Sequence, residues 1–149
     1  MRMSKIHIDN IIKDKDFIER FDLEEIQLLG QGEYNINYLF YSRVYNKKLI
    51  LRIATDSQMS LDNQIKYEYQ ALDLLKNTNR TPKPIYYDDS KELIPYGFLV
   101  MEYLPGKPLD YKKDLKIAAE ILADIHNEPI SETNHLLEPK NPIEAIYEE

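Results

Sequence analysis

The sequence predicts an α+β domain built on an antiparallel sheet of about five strands with one packed helix. Three observations carry this. Strand-like segments at 25–29, 37–45 and 49–54 follow one another across short polar joins. An amphipathic helical pattern spans 61–76. Two more strand-like segments, 85–88 and 97–104, precede a second amphipathic pattern at 114–126. Strands run together before the helix rather than alternating one-for-one with helices, which argues against a parallel sheet.

Each element has a local reason. "DKDFIERF" (14–21) reads as a short helix with Phe17, Ile18 and Phe21 on one side. "EIQLL" (25–29) alternates and leads into a glycine pair. "NYLFYSRVY" (37–45) is rich in aromatic and β-branched residues, as strands are. "NKK" (46–48) reads as a polar turn, and "LILRIA" (49–54) as an apolar strand broken by one arginine. In 61–76, Ile65, Tyr69, Leu72 and Leu75 recur at helical spacing, with Asp62 as the expected cap. The prolines of "TNRTPKP" (78–84) stop that helix. "IYYD" (85–88) and "GFLVMEYL" (97–104) read as strands, the second buried, and "PGKPL" (105–109) as a turn. "DLKIAAEILADIH" (114–126) places Leu115, Ala118, Ala119, Leu122 and Ile125 on one face.

Composition excludes several classes. A net charge of −7 over 149 residues argues against binding a phosphate backbone. No stretch approaches the roughly 18 apolar residues of a membrane span, and the first residues lack the apolar core of a signal peptide. There are no cysteines, and His7, His126 and His135 are not at zinc-ligand spacing. The expectation is a cytoplasmic protein with no structural metal, no nucleic-acid partner and no membrane partner.

Chemistry concentrates in two places. Of only four glycines, Gly30 and Gly32 flank Gln31 between two strands. A dinucleotide fingerprint would lead from strand into helix, and the segment that follows is a poor helix, so that reading is rejected. Two readings remain: an ordinary hairpin turn, or a loop whose backbone approaches a ligand and points amides at phosphate oxygens. The second place is Arg52 inside "LILRIA". A cation in so apolar a strand either finds a partner or snorkels to water at the sheet edge. Glu68 borders the inward stripe of the following helix and is the expected partner, whereas Asp73 lies off the stripe and is expected in solvent.

Together, these motifs and "FLVMEYLPGKPL" (98–109) resemble the nucleotide-binding lobe of a protein-kinase-like fold. The resemblance is to the aminoglycoside phosphotransferase and choline kinase family, over about residues 26–126. It implies that Gly30, Gln31 and Gly32 cover the nucleotide phosphates. Asn35 falls where protein kinases carry a third glycine. Arg52 replaces the usual lysine and pairs with Glu68, a change that a forked guanidinium tolerates. It also implies that "VMEYLPG" (100–106) is the hinge holding adenine. Met101 would line the back of the pocket, the Glu102 carbonyl would accept from the amino group, and the Leu104 N–H would donate to the ring. The Glu102 side chain is not needed there and is expected to be solvated. His126 is read as a packing or capping residue. The implied ligand is ATP, with GTP as the alternative, and the implied co-substrate is a small-molecule hydroxyl acceptor.

The resemblance also exposes what is absent. A catalytic loop of the form H-x-D-x-x-x-x-N and a later magnesium aspartate would follow the hinge. Nothing after His126 supplies them, so Mg2+ is expected only with a further lobe. The one H-x-D, at His7–Asp9, precedes the glycines and has Asp14 where the asparagine should stand, so it is read as coincidence. "NPIEAIYEE" (141–149) starts like a helix, with Asn141 as cap, Pro142 in the first turn and Glu144 three after the cap. It stops on two acidic residues that oppose the helix dipole. The expectation is a truncated chain: residues 1–104 as the nucleotide-binding lobe, and 105–149 as the hinge exit and the start of a helical lobe. Two other readings stand beside it: a non-catalytic, pseudokinase-like regulator, and an α+β interaction domain that binds no nucleotide.

Overall fold

Alternating apolar residues on the strands bury one face of the sheet, and that face organises the molecule. The computed structural model describes residues 5–56, 61–137 and 141. Helices α1 (Lys5–Ile12) and α2 (Lys15–Phe21) precede strands β1 (Leu23–Gln31), β2 (Asn35–Ser42) and β3 (Lys47–Ala54). Helix α3 (Gln64–Leu75), strands β4 (Pro84–Asp88) and β5 (Phe98–Glu102), and helix α4 (Leu115–His126) follow. The five strands form one sheet in the order β1-β2-β3-β5-β4, antiparallel throughout. The helix expected over 141–149 lies outside the described residues, apart from Asn141.

Phe40, Leu49, Leu51, Ile53, Phe98 and Val100 project from one sheet face onto Ile8, Ile11, Phe17, Phe21 and Ile94. The rings interlock, with Phe17 and Phe21 4.7 Å apart at their centroids and Phe21 meeting Phe40 edge-on at 5.9 Å. Asp14 caps α2 by accepting from the Phe17 N–H at 2.9 Å. Phe17 and Phe21 are buried as expected, but Ile18 is 45% exposed, because a two-turn helix lays only a narrow stripe on the sheet. Helix α1, which the sequence reading did not foresee, covers the same face.

Several boundaries differ from expectation. Strand β2 ends at Ser42 rather than at Tyr45. The buried Ser42 hydroxyl donates to the Phe21 carbonyl and accepts from the Tyr45 N–H, which starts the turn early. Lys47 and Lys48 consequently belong to β3, and Asn46 takes the left-handed turn position with φ 51°. Asp62 does not cap α3. The helix starts at Gln64 behind Asn63, whose side chain makes no cap bond, and the Asp89 carboxylate accepts from the Lys66 N–H at 3.1 Å instead. This cap comes from 23 residues away. Close approach here depends on Gly97, where a Cβ would run into the Asp89 carboxylate and lie 2.9 Å from Ile65.

Helix α4 lies beyond the hinge, outside the core of the sheet. Its expected apolar face is largely uncovered: Leu115 is 63% and Leu122 54% exposed, and no residue of the helix is buried. An Arg80–Asp124 ion pair of 2.6 Å ties it to the segment after α3. No described helix is long and apolar enough to cross a membrane.

Candidate functional site

Residues opposite each other on antiparallel strands point to the same face. One such row runs Gly30, Asn37, Arg52, Leu99 and Tyr87 across all five strands. The row beside it contains Leu39, Ile50 and Met101. Both lie on the face away from α1 and α2. Helix α3 covers the β4 end of that face, where the tilted rings of Tyr69 and Tyr87 meet with centroids 4.8 Å apart.

Arg52 finds the expected partner. Its Nε lies 2.9 Å from Glu68 Oε2, with the two side chains 28% and 22% exposed. Glu68 Oε1 accepts from Gln64 Nε2 at 3.1 Å. With the Asn35 amide turned so that its oxygen faces the guanidinium, Oδ1 accepts from Arg52 Nη2 at 2.9 Å and Nδ2 donates to the Tyr34 carbonyl at 3.3 Å. The guanidinium is thus held from two sides, by the helix and by the end of the hairpin. A half-hydrated pair like this adds only about 1 kcal/mol or less to stability, so its worth is in fixing direction. Asp73 is exposed and pairs with Lys76 at 2.8 Å, consistent with its placement off the stripe. A cavity of about 440 Å³ opens beside the pair, lined by Arg52, Tyr67, Glu68, Ala71, Leu72 and Met101 among others.

The glycine pair sits where β1 turns into β2. Gln31 pairs with Ile36, and the Gly32 N–H donates to the Asn35 carbonyl at 2.9 Å. Neither glycine adopts a left-handed φ. A Cβ on Gly30 would meet nothing within 4 Å, and one on Gly32 only the Asn35 carbonyl at 3.9 Å. Neither the turn nor the packing of the described residues therefore requires glycine. What the two residues provide is free space over the loop backbone.

The end of β5 borders the cavity. Met101 lines the cavity at the end of β5, and Leu104, two residues past the strand, is 50% exposed. The Glu102 side chain is not solvated as expected. Its Oε1 lies 2.8 Å from Lys47 Nζ, and its Oε2 accepts from the Lys83 N–H at 3.2 Å. The hydrogen bond from Lys47 is the main cause that holds this carboxyl below the usual range, with the Lys83 N–H and the charges of both lysines adding to it against burial. Glu102 thereby stitches the hinge to the starts of β3 and β4. Those partners are 55 and 19 residues away, so no local pattern announces them.

Other candidates fall away from this face. Asp9 sits on α1, which covers the opposite face, and pairs with Lys13 at 3.6 Å. His126 is an exposed residue in the last turn of α4. Sequence reasoning missed Asn37 and Gln64, although strand alternation from Asn35 already puts Asn37 on the Arg52 face.

An antiparallel five-stranded sheet, whose third-strand cation pairs with a glutamate on the following helix, is the N-terminal lobe of a protein-kinase-like fold. The chain belongs to the phosphotransferase enzyme family, whose model matches residues 25–140. A solved structure of a "putative aminoglycoside phosphotransferase" from Ralstonia eutropha JMP134 is similar at 16% identity with a TM-score of 0.48. That match covers 73% of this chain and 30% of the other, so the chain spans less than a third of its neighbour's length. No curated protein matches the sequence.

Proposed function

We propose that this chain is the ATP-binding lobe of a phosphotransferase that moves the γ-phosphoryl group of ATP to a hydroxyl of a small molecule. The observation that carries the reading is Arg52, held by Glu68 and Asn35 on an open sheet face beside a hairpin whose glycines the fold does not need. Amides of Gly30, Gln31 and Gly32 and the remaining donors of Arg52 would hold phosphate oxygens, with Glu68 keeping the fork aimed. The adenine would lie against Ile50 and Met101, with the Glu102 carbonyl accepting from its amino group and the Leu104 N–H donating to the ring. Bound magnesium would neutralise charge between the phosphates, and no residue of this lobe is assigned to it.

In this reading residues 1–104 form the nucleotide lobe, and 105–149 lead toward the helical lobe that carries acceptor contacts and catalytic carboxylates. The 149 residues contain no H-x-D-x-x-x-x-N after the hinge. By themselves they should bind nucleotide without transferring phosphate. Acceptors used across the family include aminoglycosides, choline or ethanolamine, homoserine and sugar derivatives, and their contacts belong to the other lobe.

Calorimetric titration of the chain with ATP and GTP tests the reading. Saturable binding that Arg52→Ala weakens at least tenfold supports it. A folded chain that binds neither nucleotide at millimolar concentration overturns it. Acceptor-dependent turnover by the chain alone would show instead that the acid–base group lies within these residues.

A further inference from the structure

Gln64 opens helix α3 and is only 6% exposed; with Ser42 it is one of the two buried polar residues among those described. Burying a long amide costs hydration and rotamer freedom, and the cost is offset only where the amide is bonded. Its Nε2 donates to Glu68 Oε1 at 3.1 Å, one helical turn on. The other oxygen of Glu68, Oε2, lies 2.9 Å from Arg52 Nε. The carboxylate is thus divided between a neutral donor and the guanidinium.

The residue type suits that division. The terminal torsion of a glutamate is broad, so one ion pair alone leaves the carboxylate free to swing. A second donor on the other oxygen fixes its plane. A lysine at 64 would compete with Arg52 for the charge, and an acidic residue would repel Glu68. The first turn of α3 carries no acidic residue, although helix N-termini favour them. The helix end that bears Gln64 is itself held. The Asp89 carboxylate accepts from the Lys66 N–H at 3.1 Å, and Ile65 is buried close beside Gly97. Gln64 also lines the cavity beside the ion pair, together with Arg52 and Glu68.

We propose that Gln64 is a positioning residue of the nucleotide site: its amide sets the Glu68 carboxylate, which aims the Arg52 fork at the phosphates. This rests on the nucleotide reading above. Gln64 acts through Glu68, so its effect on binding exists only while Glu68 is present. An ordinary helix contact one turn apart would support the helix and leave Arg52 as it was.

The test compares the chain with Gln64→Met, which keeps the length and helix preference of the side chain but has no N–H. Gln64→Glu, of nearly the same shape, replaces the donor by an acceptor. In calorimetric titrations with ATP, affinity should fall about fivefold in Gln64→Met and at least as far in Gln64→Glu, less than in Arg52→Ala. In a Glu68→Ala background, Gln64→Met should change ATP affinity no further. The direct readout is the Arg52 Nε–H resonance in a proton–nitrogen correlation spectrum of the ligand-free chain, assigned by its disappearance in Arg52→Lys. Gln64→Met should shift or broaden this signal toward its state in Glu68→Ala.

Unchanged ATP affinity in both variants overturns the proposal. So does a loss that persists undiminished without Glu68, which would assign Gln64 to the fold or to the ligand itself. An Arg52 resonance that Gln64→Met leaves in place overturns it as well. Each of these leaves ATP binding by the parent, and so the nucleotide reading, intact. A parent that binds no nucleotide removes both.

Discussion

The two faces of the sheet are built from the same strands by opposite rules. The face under α1 and α2 is dry and aromatic, with Phe21, Phe40 and Phe98 almost fully buried and packed ring against ring. The other face carries Asn35, Asn37 and Arg52 on neighbouring strands, a half-hydrated ion pair, an open glycine hairpin and an orphaned acceptor. Alternation makes this possible, since each strand sends successive side chains to opposite faces. One face stores the stability, and the other is free to hold groups that a core would reject.

That division predicts which substitutions injure folding and which injure binding. Phe98→Ala on the dry face should cost about 3–5 kcal/mol, a large part of the stability of a domain this size, measured by denaturant unfolding. A loss under ~1 kcal/mol would mean that the aromatic cluster is not the stabilising core. Arg52→Ala on the other face should do the reverse. Nucleotide affinity should drop about 10–100-fold, some 1.4–2.7 kcal/mol, while stability moves by about 1 kcal/mol or less. Arg52→Lys should retain part of the affinity, since a point charge replaces a fork. A variant that unfolds more readily yet binds normally would erase the distinction between the faces.

Gly30→Val sharpens the comparison further. A Cβ there would meet nothing within 4 Å, so the melting temperature should barely change, while ATP affinity falls about five- to tenfold where the added methyls occupy the ligand's space. A destabilised variant with normal affinity would assign the glycine to the fold.

The smallest effect is expected at the seam between strands and hinge. Glu102→Gln should cost about 0.5–1 kcal/mol near neutral pH, because the carboxylate's charged hydrogen bond with Lys47 is lost. The folded carboxyl titrates below the ordinary range, so its contribution is fully present above the unfolded value of about 4.3 and fades as the pH falls through the folded one. Unfolding curves of parent and variant should therefore differ by a constant amount above about pH 5 and converge in acid. A gap that persists at low pH would mean the clamp does not depend on charge.

Much of this architecture was legible from residue order. Alternation identified β1, aromatic, β-branched and apolar runs identified the other four strands, helical spacing identified α3 and α4, and the stripe along α3 singled out Glu68 over Asp73 for Arg52. These are local properties: periodicity fixes which way a side chain points, and a lone cation in an apolar strand demands a partner within reach. The order of motifs was enough to point to the phosphotransferase family. Tertiary structure decided the rest. It alone showed that Asp89 rather than Asp62 caps α3, that Ser42 ends β2, and that Glu102 is clamped by Lys47 and Lys83. It showed that α1 joins the core, and that among the described residues the α4 face stays largely exposed and the Asn37 oxygen has no partner. Each depends on groups brought together from distant parts of the chain, or on the absence of such a group. Sequence spacing carries direction along an element, but contact across elements exists only once the chain has folded.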